Sequence, residues 1–253
     1  MALSKALIAT AAALAIAGAA QAGGSPAETG LPKPANSAPA AEVAGVVIPD
    51  GPLAAAAAQA VRGAESELVY QHSLRVYHWA TLAAKRRGLA VDPQLLYVAS
   101  LFHDFGLTDR YRNSHLRFEV DGANAAREFL LRHGASAEEA QRVWLAIALH
   151  TTNGVSSQLE PMAAVLAESA NMDLVAAGYD AFTPGERRAV EAAFPREPDF
   201  AEGFLQTLYE GLKHRPETTQ GTGLADVMAY KDPAFRRRDF SVLVRTSRWT
   251  AKP

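Results

Sequence analysis

Apolar residues recur at spacings of three and four along most of this chain, a pattern typical of amphipathic α-helices. The clearest case is residues 53–87, which we predict as one long helix. One face of it carries Leu68, His72, Val76, Trp79 and Ala83. Gly88 follows directly and is a suitable C-terminal stop for that helix.

Capping signals mark the limits of the helices that follow. Asp92 and Pro93 combine an N-cap with proline at the first helical position, and this helix is predicted to end at Gly106. Further helices are predicted over residues 119–133, 136–150, 160–177, from 183 and from 199 to about 214. No segment alternates strictly between apolar and polar residues, as an exposed strand would. The fold class predicted is therefore all-α.

The first residues have the features of a cleavable export signal. Lys5 provides a positive charge, residues 6–19 form a short apolar stretch, and Ala20-Gln21-Ala22 fits a cleavage site after Ala22. We therefore predict a signal peptide over residues 1–22 and a periplasmic or secreted protein without stable membrane insertion. Residues 23–50 are predicted as a flexible linker, residues 51–215 as a single domain, and residues 216–253 as a basic C-terminal extension.

Composition limits the chemistry that the domain can perform. The 253 residues are 49% hydrophobic and 21% charged, with a net charge of −2, which is typical of a soluble globular protein and argues against nucleic-acid binding. The chain contains no cysteine. Disulfides and thiolate metal sites are thereby excluded, so any metal would be held by histidine and carboxylate groups.

His103 and Asp104 are adjacent at the end of an apolar helical run. Adjacent helical residues point about 100° apart, but a helix end relaxes this restriction, and Gly106 would let the backbone turn. His72 and Asp173 lie on the apolar faces of two other helices. A neutral core histidine is the common alternative for His72. A buried aspartate, however, needs a partner, and a shared cation would supply one.

The sequence around these residues resembles the HD-domain superfamily of metal-dependent hydrolases. The matching segments are HSLRVY from His72, LFHDFG around His103-Asp104 and ANMDLV around Asp173. Two further segments, RFEVDGA from Arg117 and IALHT from Ile147, are similar to the cyanamide hydratase-like subgroup. The resemblance covers about residues 65–215 and implies an HD-like helical bundle.

The resemblance implies that one divalent metal ion is held by His72, His103, Asp104 and Asp173. Zn²⁺ suits this ligand set best, and Fe²⁺ or Mn²⁺ are possible alternatives. The metal would activate a bound water for attack on a small-molecule substrate. Some HD proteins bind two metals through further histidines. Here His150 is followed by Thr151 rather than by a second histidine, which favours one metal.

Other residues in the matching segments are candidates for catalysis or substrate binding. We expect Glu119 and His115 to act as catalytic groups and His150, Arg117 and Thr151 to contact substrate. Each of the ionisable residues also has a purely structural interpretation. Glu119 and Asp121 could interact with a helix dipole, His150 could interact with a helix C-terminus, His115 could be an exposed loop residue, and Arg117 could pair with a carboxylate.

Three functions remain open at this point. The first is hydration of a cyanamide- or nitrile-type carbon by activated water. The second is hydrolysis of a phosphate ester or nucleotide, for which Arg110, Arg112 and Arg117 would supply positive charge. The third is a non-catalytic, exported binding protein stabilised by its metal. The expected partner of an enzyme is a small molecule, and a homo-oligomer is possible.

Overall fold

The computed structural model describes residues 42–249, and within them the all-α prediction is confirmed: ten α-helices follow one short β-hairpin. The strands are β1 (Glu42–Val43) and β2 (Val46–Val47). The helices are α1 (Pro52–Arg62), α2 (Glu67–Arg87), α3 (Pro93–Phe102), α4 (Phe118–Arg132), α5 (Ala137–Ala148), α6 (Pro161–Val175), α7 (Pro184–Ala193), α8 (Phe200–Leu212), α9 (Leu224–Lys231) and α10 (Phe240–Arg245). The predicted signal peptide and residues 23–41 of the predicted linker lie outside the described residues.

The hairpin lies within the segment predicted as linker. Glu42 pairs with Val47 and Val43 with Val46 in an antiparallel register. Val46 is completely buried, and the Tyr77 hydroxyl donates a hydrogen bond of 3.1 Å to the Val47 carbonyl. Packed structure therefore begins ahead of residue 51.

The single long helix predicted over residues 53–87 is instead two helices, α1 and α2. Gly63 is the C-cap of α1, and the side chain of Ser66 accepts a hydrogen bond from Val69 N to start α2. The apolar spacing is compatible with helix on both sides of this break, so periodicity alone did not reveal it. The predicted stop is confirmed, because Gly88 adopts a left-handed conformation (φ 63°) at the end of α2.

Two hydrophobic clusters form the core. In the larger one, α2 packs against α3 and α6, and its Tyr77 and Trp79 are almost completely buried. The smaller cluster joins α8 and α9 to the segment after α3 through Leu107, Phe118, Phe204, Leu208, Leu212 and Met228. Helix α9 belongs to the predicted C-terminal extension, and it is nevertheless part of this packed core.

The junction between α3 and α4 differs from the predicted one. Helix α3 ends at Phe102 rather than at Gly106, and a 3₁₀ turn follows over Phe105–Leu107. A Cβ on Gly106 would lie 1.9 Å from the Phe118 carbonyl oxygen, and one on Gly122 would lie 2.7 Å from that of Phe102. Glycine is needed here for close backbone approach, which holds α4 against the turn that carries His103 and Asp104.

Candidate metal centre

Three buried side chains converge between α2 and the end of α3. The Nε2 atoms of His72 and His103 are 3.2 Å apart. Asp104 Oδ2 lies 3.6 Å from the His72 nitrogen and 3.3 Å from the His103 nitrogen. These three residues form a group whose ligand atoms all lie within 4.8 Å of one another, which is close enough to hold one metal ion.

The end of α3 brings His103 and Asp104 to the same point. His103 still has helical dihedral angles (φ −63°, ψ −33°), whereas Asp104 has left the helix (φ −102°, ψ 0°). The two neighbouring side chains can therefore converge, which a continuous helix would prevent. The expectation that the helix end relaxes this restriction is confirmed.

The hydrogen bonds behind the two imidazoles assign their protons. His103 Nδ1 lies 2.7 Å from the Ser100 carbonyl oxygen, which can only accept, so this nitrogen carries the proton. His72 Nδ1 is likewise 2.7 Å from Asp173 Oδ2 and donates to that carboxylate. Both Nε2 atoms therefore direct lone pairs at each other, and a hydrogen bond between them would need one ring to be protonated.

The same three residues have the properties that metal ligands need. Burial lowers the pKa of His103 to about 4, so its imidazole is neutral, as a metal ligand must be. Asp104 Oδ2 is buried and has no hydrogen-bond partner within residues 42–249. Two lone pairs and an unpartnered anionic oxygen thus face one point. A divalent cation there would satisfy all three, and two imidazoles with one carboxylate suit Zn²⁺, Fe²⁺ or Mn²⁺.

The structure does not place Asp173 with the other three predicted ligands. It lies behind His72, and its carboxylate accepts hydrogen bonds from four side chains. These are His72 Nδ1 at 2.7 Å, Arg75 Nε at 3.0 Å, Trp79 Nε1 at 3.0 Å and Arg196 Nη2 at 2.7 Å. Burial alone would raise the pKa of Asp173, but the bond to His72 and the charge of Arg75 hold it well below its usual range.

In this arrangement Asp173 orients His72 and lies outside the group of three side chains that could hold a metal. Carboxylates commonly accept the second N–H of a metal-binding histidine and so fix its tautomer and orientation. The sequence correctly placed Asp173 on an inward face of α6. The side of His72 that it meets depends on how α6 packs on α2, and periodicity does not contain that information.

An open cavity of about 200 Å³ lies directly beside the centre, and we call it the metal pocket. His103 and Asp104 form part of its wall, together with His150, Thr151 and Asn171. The remaining wall includes Phe118, Asn153, Ala170, Leu174, Phe204, Leu208, Thr222, Gly223 and Leu224. None of these lining residues is lysine or arginine, so the pocket wall carries no permanent positive charge.

Comparison with known proteins agrees with this geometry, since residues 69–179 match the HD domain family model. The match identifies an HD domain in this part of the chain. Two relatives are the cyanamide hydratases DDI2 and DDI3 of Saccharomyces cerevisiae, each 28% identical over 132 residues. The alignment covers 51% of this chain and 59% of each relative. The resemblance to the HD superfamily and its cyanamide hydratase-like subgroup is thereby confirmed.

His150 of the HD domain stands at the edge of the centre. Its Nδ1 donates to the Ile147 carbonyl oxygen at 2.7 Å, so its Nε2 is free to accept. That nitrogen is 4.0 Å from Asp104 Oδ1, and the ring lies edge-on to His103 at 5.0 Å between ring centroids. His150 also lines the metal pocket, so it can reach a molecule bound there.

Glu119, Arg117 and Thr151 form one network beside His150. Glu119 is completely buried, Arg117 Nε donates to its Oε2 at 3.2 Å, and the Thr151 hydroxyl donates to its Oε1. Burial raises the pKa of Glu119, but the bond to Arg117 and the nearby His150 keep it below its usual value. Of the three, Thr151 lines the metal pocket, while Arg117 is occupied by Glu119.

Two further candidates, His115 and Asp121, lie outside the wall of the metal pocket. His115, which we expected to act in catalysis, is exposed on the loop before α4 and is not part of the pocket wall. Asp121 pairs with Arg215, which is fully buried and also donates to the carbonyls of Leu116 and Gly106. These contacts connect the segment that follows α8 to the turn that carries His103 and Asp104.

Sequence reasoning missed two charged residues near the centre. Arg75 is completely buried and lies one helical turn after His72, a spacing that could have revealed it.

Glu65 lies in the break between α1 and α2, where no periodicity identifies it. Both of its carboxylate oxygens are buried and lack hydrogen-bond partners within residues 42–249. Burial and the charge of Asp104 raise the pKa of Glu65 well above its usual value.

Proposed function

We propose that this protein is a metal-dependent enzyme that adds water to a nitrile-type carbon in an uncharged small molecule. The observation that carries the proposal is the convergence of His72, His103 and Asp104 beside an open pocket. A structural metal site is usually closed, whereas a catalytic site keeps a position for water or substrate. The similarity to two cyanamide hydratases supports the nitrile-type substrate.

The side chains around the centre have different roles in this reaction. A divalent cation held by His72, His103 and Asp104 would supply Lewis acidity toward water. Arg75 holds Asp173, and Asp173 fixes the ring of His72 so that its Nε2 points toward His103 and Asp104. His150 Nε2 accepts a proton from the attacking water and returns it to the substrate nitrogen. The carbon gains the hydroxyl group and the nitrogen gains one proton, which gives an imidic acid, or an isourea from cyanamide. Transfer of the remaining hydroxyl proton to the nitrogen then gives the amide or the urea.

The wall of the metal pocket favours an uncharged substrate over a phosphate ester. Phosphoryl transfer needs positive groups for the non-transferred oxygens. None of the arginines considered for this role lines the metal pocket: Arg110 and Arg112 are exposed, and Arg117 is paired with Glu119. This placement makes phosphohydrolase activity the weaker alternative.

The direct test is turnover by the purified, metal-loaded protein. We expect formation of urea from cyanamide, no release of nitrophenol from p-nitrophenyl phosphate, and loss of urea formation in His150→Gln. Urea formation unchanged in His150→Gln would remove the proton-transfer role. Hydrolysis of the phosphate ester alone would establish the alternative, and full metal content without turnover of any substrate would favour a non-catalytic binding protein.

We also propose that the protein is exported, on the basis of the first 22 residues. Cell fractionation with N-terminal sequencing tests this. A mature chain beginning at Gly23 outside the cytoplasm is expected, and an intact Met1 in the cytoplasm would contradict it.

A further inference from the structure

A second and larger cavity lies next to the metal pocket, and the proposed reaction on cyanamide leaves it unused. Its volume is about 640 Å³. We call it the apolar chamber and define it by Ala83, Ala164, Ala167, Ser169, Met172 and Phe182. Binding sites for organic ligands commonly have volumes of about 300–1,000 Å³. At about 30 Å³ per water molecule, the chamber could hold roughly twenty waters, far more than cyanamide needs.

The chamber and the metal pocket share part of their walls. His150, Asn153 and Asn171 line both cavities. His150 is the residue whose Nε2 lies 4.0 Å from Asp104 Oδ1. A molecule in the chamber would therefore lie against the side chain that borders the reacting group, and one ligand could occupy both cavities.

The charges at the mouth of the chamber are neutralised by ion pairs. Arg87 Nη1 is 2.6 Å from Glu168 Oε2, and Arg86 Nη2 is 2.9 Å from Glu186 Oε2. The guanidinium of Arg86 also lies over the Phe182 ring, 5.1 Å from its centroid. The mouth consequently offers no unpaired arginine to an anion, and the apolar wall favours an uncharged body.

One buried polar group in the wall has no partner. Ser169 is 1% exposed, and its hydroxyl makes no hydrogen bond within residues 42–249. A buried hydroxyl without a partner is costly, so ligand sites often place such groups where a bound molecule completes them. Ser169 thus provides a buried hydroxyl in the chamber wall that a bound molecule could complete.

We infer that the apolar chamber binds the body of the substrate, and that the preferred substrate is an aryl or branched-alkyl nitrile, with cyanamide as a smaller substrate that leaves the chamber empty. The nitrile group of the preferred substrate enters the metal pocket past His150, and its apolar body fills the chamber. This inference rests on the proposed function for the reacting group. The chamber as a binding site for neutral apolar molecules can be tested separately.

The experiment measures binding and turnover of benzonitrile by the metal-loaded protein. Ala167→Phe and Ala181→Trp place bulk in the chamber from α6 and from its exposed mouth, and Ala193→Phe on α7 is the control outside both cavities. We expect calorimetric binding to weaken at least tenfold in each chamber variant and to stay unchanged in the control. The ratio of kcat/KM for cyanamide over benzonitrile should rise at least tenfold in the chamber variants.

The two proposals fail in different ways. Absence of benzonitrile binding to the unaltered protein, or equal binding by both chamber variants, would overturn the chamber assignment. Binding that is lost in the chamber variants, without turnover of any nitrile, would support the chamber and refute the proposed hydration. The second chamber variant keeps the test decisive if Ala167→Phe does not fold.

Discussion

Two buried aspartates flank His72, and their surroundings are opposite. Asp173 accepts hydrogen bonds from His72, Arg75, Trp79 and Arg196, so its negative charge is fully compensated. Asp104 faces the Nε2 side of the same ring, and its Oδ2 has no hydrogen-bond donor within residues 42–249. Both carboxylates are almost completely buried, so burial alone does not distinguish their roles.

The difference in partners does distinguish them. A carboxylate saturated with donors is held in one orientation and has no lone pair to offer a metal. A buried carboxylate oxygen without a donor is costly unless a cation compensates it. The Asp173 side of His72 thus positions the ring, and the Asp104 side is the one that could hold an ion. The variants described below each alter one side of His72, and metal affinity and stability show whether the other side is affected.

Removing the charge of Asp104 should have the largest effect. Asp104→Asn keeps the shape of the side chain but removes an anionic ligand, so we expect metal affinity to fall by more than about 100-fold, with loss of turnover. Metal content by mass spectrometry and a chelator competition measure this. Without metal, the variant should be at least as stable as the parent, because an uncompensated buried charge is gone. Full metal content would refute the ligand assignment.

Removing the charge of Asp173 should instead destabilise the protein even without metal. Asp173→Asn leaves Arg75 buried without its anion, and breaking a buried pair in this way costs about 3–5 kcal/mol. Metal affinity should fall less than in Asp104→Asn, by about 10- to 100-fold, because His72 is only misoriented. Urea denaturation with chelator present measures the first effect.

The exposed Asp180 provides a matched control for that variant. Asp180→Asn should leave both stability and metal affinity unchanged. If Asp173→Asn is as stable as this control in the absence of metal, the saturated carboxylate does not support the fold, and the comparison between the two aspartates fails.

Glu65 adds a second uncompensated carboxyl group on the Asp104 side. The pKa of Glu65 is raised in the folded protein. The folded state therefore keeps the carboxyl proton of Glu65 to a higher pH than the unfolded state does. Glu65 therefore lowers stability as pH rises above the usual glutamate range of about 4.3. Glu65→Gln should stabilise the metal-free protein by about 1–3 kcal/mol at pH 8 and hardly at pH 4. A gain independent of pH would contradict this.

The smallest effect is expected at the outermost donor to Asp173. The side chain of Arg196 is 28% exposed, whereas that of Arg75 is completely buried. Arg196→Gln should cost less than about 1 kcal/mol, as for most ion pairs open to solvent. Metal affinity should stay within about threefold of the parent. A loss as large as that in Asp173→Asn would show that Arg75 cannot hold the carboxylate alone.

Several features could be predicted from the sequence because they depend on local patterns. Helical periodicity and capping residues predicted an all-α fold and most helix starts, including those at Asp92, Ser136 and Thr183. The absence of cysteine restricted metal ligands to histidine and carboxylates. His72, His103 and Asp104 were predicted as ligands together with Asp173, and the structure brings the first three of them together.

Other features depend on contacts between segments far apart in the chain, and only the tertiary structure decided them. Asp173 lies 101 residues from His72, and the packing of α6 on α2 directs it to Nδ1 instead of to the metal side. Gly106 is required by the closeness of α4, and the carboxylate oxygens of Glu65 are buried although the residue follows no periodic pattern. A helical period fixes which face of a helix points inward. It does not fix which atoms of another helix that face will meet.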